Sequence, residues 1–146
     1  MTAFRATKLF QAQLERALAG LTWCKVILLP NTVGDTSLLV SIAVRKPERK
    51  QATMGVKVRT LKLIVAVTGR IESETGLEMA MDAIEAVSAF LLGAKYLEDD
   101  TAVPIADMRI SSEISDEDGI LEDPETGGRA WAREEFSVSI NLPEGA

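Results

Sequence analysis

Between Thr75 and Gly93 the apolar residues return every three or four positions, and this spacing constrains the fold more than any other feature. Leu77, Ala80, Met81, Ile84, Val87, Ser88 and Leu91 trace one helical face. Thr75 and Glu78 stand at capping-box spacing, and Gly93 marks the end. The stretch just before it, "VKVRTLKLIVAVTGR", alternates instead with period two, as a half-buried strand does. A long strand running directly into an amphipathic helix has to fold that helix back over its own sheet, which sets an α+β layer.

The alternation in that strand changes phase. Val56 and Val58 share one parity, whereas Leu61, Leu63, Val65 and Val67 share the other, which either a bulge or bend near Thr60 or a first part that is a hairpin arm projecting beyond the core would reconcile. Upstream, Ala6, Phe10, Leu14, Ala17 and Leu21 form a second helical stripe over about Phe4 to Leu21, widened by Leu18, with Gly20 as its stop. "CKVILL" and "SLLVSIAVR" read as strands, as do Ile105 to Ile114, with weak alternation, and the terminal "RAWAREEFSVSINL". In the last, Ala132, Phe136, Val138, Ile140 and Leu142 take the core face. The order α-β-β-β-α-β-β implies a mixed or antiparallel sheet of four to five strands with both helices on one face. At 146 residues, 47% of them hydrophobic, the expectation is a single α+β domain over residues 1–146 with a core of its own.

Several function classes recede on composition. The chain has no histidine, which removes the commonest general base, the Ser-His and Cys-His pairs and imidazole-bound zinc. Its one cysteine, Cys24, lies in "TWCKVILL" and reads as a small buried hydrophobe. No glycine-rich nucleotide loop, signal peptide or membrane-length apolar run is evident, and no cofactor is expected.

Charge is strongly polarised beneath a formal net charge of −6. From Arg45 to Lys62 there are seven basic residues against Glu48 alone; from Tyr96 to Glu125 there are eleven acidic residues against Arg109 alone. A basic hairpin loop at 45–55 carries Arg45, Lys46, Arg49 and Lys50, and the helix after it shows Glu78, Asp82 and Glu85 on its outer side. Such blocks either pair within a subunit or steer one subunit onto the next. The basic loop has no aromatic residue for base stacking, so sequence-specific nucleic-acid binding is not expected.

The acidic loop at 115–128, "SDEDGILEDPETG" in its first part, has the composition of a calcium site. Placing Gly119 at the invariant glycine puts Asp116, Asp118 and Glu125 at ligand positions, but Ile114 then falls where the first oxygen ligand is required. The EF-hand pattern fails, leaving Asp116, Glu117 and Asp118 as weak metal candidates and a divalent-cation-binding module as the alternative function. A catalytic carboxylate pair needs two carboxyls in unlike, rigid environments, which turn composition does not supply, so no catalytic residue and no enzyme is expected.

The order of elements resembles the tail terminator proteins of long-tailed bacteriophages and related minor tail or tail-completion proteins. The resemblance is carried by the helix "FRATKLFQAQLERALAGL", the strand "RTLKLIVAVTGR" entering the helix "GLEMAMDAIEAVSAFLL", and the closing "DPETGGRAWAREEFSVSINL". It implies a structural protein of the virion tail, assembled in the host cytoplasm, that forms a hexameric ring on the tail tube, stops its growth and prepares it for head joining. The implied partners are further copies of the chain, the tail tube protein and a head-completion protein; a head-tail connector or other minor tail role is the neighbouring reading. A heterologous ring needs two complementary patches on each subunit, for which the basic block and either acidic block are candidates. Lining the DNA passage with the basic hairpin would retard DNA, so it is expected at the subunit interface or the tube-facing rim.

Overall fold

The computed structural model describes residues 1–31, 38–45, 59–71, 73–114, 120–123 and 129–142, with backbone alone at 38, 70, 114, 120–123 and 129–133. The elements run α1 (Ala3–Ala17), β1 (Lys25–Leu28), β2 (Leu38–Val44), β3 (Arg59–Ile71), α2 (Glu74–Gly93), β4 (Tyr96–Glu98), β5 (Pro104–Ile114), β6 (Ile120–Asp123) and β7 (Arg129–Leu142). They form the expected α+β class, built on one mixed sheet in the order β1-β2-β3-β7-β5-β4, with β6 beside β7. Among the described residues only the β1–β2 pairing is parallel, and the sheet has seven strands where four to five were expected. The additions, β4 and β6, are three and four residues long and too short to display a period.

The alternation of β3 and β7 is realised wherever their side chains are described; the side chain of Ala132, expected on the core face, lies outside the described residues. From Arg59 opposite Leu142 to Ile71 opposite Ala130 their register is unbroken. No bulge therefore occurs at Thr60; Val56 and Val58 lie outside the described residues. Leu61, Leu63, Val65 and Val67 are at most 2% exposed, and burying side chains of this size contributes roughly 1.5–3 kcal/mol each. A one-residue slip would turn Lys62 into the core in their place. Phe136, Val138, Ile140 and Leu142 bury from β7 as expected, and Val40 and Ile42 join them from β2.

In β5 the alternation is weak for a structural reason. Between the pairs Tyr96–Arg109 and Glu98–Pro104, β4 advances two residues and β5 five. The excess is a bulge that includes Asp107 at φ 69, a left-handed conformation that aspartate tolerates better than most residues. Beyond it Met108 and Ile110 point inward.

Both helices lie on the same side of the sheet, α2 against β3, β5 and β7, and α1 against β1 and β4. Those last two strands are the ends of the sheet path. Laid flat, they would stand about 24 Å apart at ~4.8 Å per strand, more than twice the ~10 Å width of a helix. The sheet consequently curls around α1, and Phe10 of α1 meets Phe90 of α2 with ring centroids 6.0 Å apart.

Two helix boundaries differ from expectation. α2 is capped by Ser73, in extended backbone, whose hydroxyl accepts from the Gly76 amide at 3.1 Å; Thr75 is already inside the helix. α1 ends at Ala17, with Leu18 as its C-cap. Ala17 is exposed, and the buried face runs through Ala6, Leu9, Phe10, Gln13 and Leu14. On α2, Met81 is 49% exposed and Ala83 is buried in its stead.

Candidate self-association surfaces

The Ser73 cap fixes the phase of α2 and with it the placement of the acids. Glu74, Glu78, Asp82 and Glu85 follow at spacings of four, four and three, so they form one row along the helix. All four are exposed, and with Leu77 and Met81 they line a shallow groove. Among the described residues, no lysine or arginine forms a salt bridge with them. Like charges four apart cost a few tenths of a kcal/mol per pair, only partly offset near the helix N-terminus by its dipole. A docked cationic surface would remove that cost.

Of the four basic candidates the structure places Arg45, exposed at the end of β2 with its amide donating to the Lys62 carbonyl oxygen at 2.9 Å. Lys46, Arg49 and Lys50 lie outside the described residues. The topology adds cations that are distant in sequence. β5 lies beside β7, which lies beside β3, so Arg109 and Lys95 come to the same end of the sheet as Arg45 and Lys62. Two adjoining hollows on the face without helices hold them. The first is lined by Arg45, Lys62, Ser111, Glu113 and Ser139 among others, and the second by Lys95, Arg109, Ser111 and Asn141. Sequence reasoning missed Arg109 and Lys95. The signal was present: Arg109 is the lone cation in an otherwise acidic stretch.

The acidic row and this basic end are far apart. From Lys62 to Ile71 is nine strand residues, about 30 Å, and α2 begins just beyond Ile71. Glu85, the member of the row nearest the basic end, belongs to the helix layer on the other side of the sheet. With a Debye length near 8 Å in physiological salt, Arg45 and the acids Glu78, Asp82 and Glu85 do not satisfy one another within a subunit.

The region read as an acidic loop is partly strand. β5 and β6 run in the same direction beside β7. Ile114 stands opposite Phe136 and Ile120 opposite Ala132, so β5 and β6 follow one another along the same side of β7. Asp116, Glu117 and Asp118 lie outside the described residues. β6 pairs Asp123 with Arg129, at the end of the sheet where Ile71 pairs with Ala130, so this acidic segment is anchored at the α2 end. Among the described residues, no three side chains of metal-binding type come together.

Two remaining groups have structural roles. Burial pushes the Cys24 thiol up, the opposite of an activated thiolate. Asp99 is held below its ordinary value first by the Thr101 hydroxyl, which donates to Oδ1 at 2.7 Å, and then by the Val103 and Thr101 amides. These bonds tie the turn between β4 and β5. Among the described residues, no helix is long and apolar enough to cross a membrane.

No family model and no curated protein matches the chain. A solved structure with a similar course is a chain from the virion of a native gene transfer agent particle, at TM-score 0.44 and 12% identity, over 96% of this chain and 94% of that one. A likeness that distant carries no argument about function.

Proposed function

We propose that the chain is a non-enzymatic structural subunit of a phage or prophage tail. It associates head to tail into a ring that terminates the tail tube and prepares it for head joining, as the resemblance to tail terminator proteins implies. It would act in the host cytoplasm during assembly and remain in the virion tail, with the tail tube protein and a head-completion protein as its other partners. The carrying observation is the separation of charge. An acidic helix row that starts beyond one end of β3 and runs back over part of its length, and a basic sheet end at the other, lie on opposite layers, so they are complementary between copies. Two unlike patches on different faces make a heterologous contact, which repeats until the rotation closes a ring.

The test is sedimentation velocity at low and high salt. The wild type should associate, and the double reversal Arg49→Glu/Lys50→Glu, like Glu78→Lys/Asp82→Lys, should dissociate it. A wild type that is monomeric at every salt concentration refutes the reading. The terminator role is read separately, by whether the purified protein stops elongation of polymerising tail tubes.

A further inference from the structure

We propose that the seat for the acidic α2 row of a second copy is the helix-free sheet face at the basic end, with Lys62, Arg109 and Lys95 as its cations. This rests on the head-to-tail reading and names the surface that meets the helix. Odd-numbered residues of β3 point into the core, so Lys62 points away from it, and Ile64 stands beside it half-buried on the same face. Met108 and Ile110 on β5 and Phe136, Val138, Ile140 and Leu142 on β7 are buried, which directs Arg109, Ser111, Ser139 and Asn141 to that face as well.

Dimensions and charge agree. Arg45, Lys62 and Arg109 stand on β2, β3 and β5, three strand spacings apart across the sheet, about 14 Å, with Lys95 one spacing further, at ~19 Å. From Glu74 to Glu85 the helix row extends eleven residues, about 16 Å. The carboxylate row and the row of cations therefore have similar lengths. Between the cations lie Ser111, Ser139 and Asn141, small side chains that let a helix approach closely and can donate to carboxylates. Among the described residues, Glu113 is the one acid lining these two hollows. Met81, 49% exposed within the acidic row, supplies an apolar contact for Ile64.

The test is a charge-swap pair. The variant Arg109→Glu/Lys95→Glu keeps residues 45–58 intact; a second variant carries Glu78→Lys/Asp82→Lys. Each alone should associate at least ~10-fold more weakly than wild type at low salt. Mixed in equal amounts they should recover assembly, because each supplies the patch that the other has inverted. Circular dichroism and urea melts confirm that both variants fold. If Arg109→Glu/Lys95→Glu assembles like wild type while Arg49→Glu/Lys50→Glu does not, this inference is overturned and the head-to-tail reading stands, with residues 46–58 as the acceptor. Loss of retention on duplex DNA with assembly unchanged also overturns it, marking the face as a phosphate-backbone surface. A wild type that never self-associates removes both.

Discussion

Gln13 is the residue whose removal tests most directly how the sheet is closed. It lies on the buried face of α1, 5% exposed, and its carboxamide engages the outer edge of β4 at two points. Nε2 donates to the Tyr96 carbonyl oxygen at 3.2 Å, and the Glu98 amide donates to Oε1 at 3.1 Å. This is the pattern a neighbouring strand would offer, supplied by one side chain. Gln13→Met keeps the length and helix propensity of the side chain and deletes both bonds. Each is worth about 1 kcal/mol net. Because Tyr96 is exposed and Glu98 half-exposed, water can partly reach the orphaned groups, so the total loss should be about 2 kcal/mol. For a chain of this size that lowers Tm by about 6 °C. The assay is urea denaturation, where Cm should fall with the m-value unchanged, joined to hydrogen exchange at the Glu98 amide, which should lose protection. Gln11→Met is the control: its bond to the Val26 carbonyl oxygen is 3.4 Å long and the one that its Oε1 accepts from Lys8 Nζ, at 3.0 Å, is solvent-exposed, so their joint loss should cost no more than ~0.5 kcal/mol. An unchanged Cm and an unchanged Glu98 amide in Gln13→Met would refute the clamp.

Three further outcomes are expected. Ser73→Ala should cost about 1 kcal/mol through the lost N-cap, whereas Thr75→Ala should stay within a few tenths; equal losses in urea melts would return the cap to Thr75. Phe10→Ala, at a site 0% exposed, should cost about 3–5 kcal/mol, and a smaller loss would mean that the α1–α2 contact collapses to fill the space. Asp99 is lowered in the folded state, so its contribution is complete above the unfolded value of 3.8 and is lost as the pH falls below that, through the lower folded value. Acid melts of Asp99→Asn should therefore converge with those of wild type toward low pH, and parallel curves would contradict the assignment.

What was legible in the sequence followed the length of each signal. β3 and β7 are thirteen and fourteen residues long, enough alternation to fix their inner faces, and α2 repeats its stripe over twenty. β4 and β6 hold three and four residues and offer no period. Gln13 is polar, so a hydropathy pattern assigns it to solvent; only β4, whose pairing sets it some eighty residues away in sequence, makes its burial favourable. Ser73 and Thr75 are both good caps, and the choice went to the residue with extended backbone. Glu78, Asp82 and Glu85 could be grouped from sequence because helix spacing is local. Arg109 and Lys95 could not, since they reach Arg45 and Lys62 only through the placement of β5 beside β7.

The closure of the sheet also bears on how copies can meet. An edge strand with free amides and carbonyls invites strand addition, which would give open, edge-to-edge polymers. Here α1 touches the strands at both ends of the sheet path, and Gln11 and Gln13 occupy backbone groups of β1 and β4. Arg16 pairs with Glu98 at 2.9 Å, and Arg5 with Asp100, securing the same helix along β4. Association through side chains on faces then becomes the favoured route, and it carries a signature. Contacts between exposed charges weaken over the range in which the Debye length falls from about 10 Å at 0.1 M to 3 Å at 1 M salt, whereas backbone strand pairing does not. Assembly that survives molar salt would show the edges to be open after all. Assembly that dissolves with rising salt, and returns on mixing the two charge-swapped variants, would place the contact between the α2 row and the basic end of the sheet.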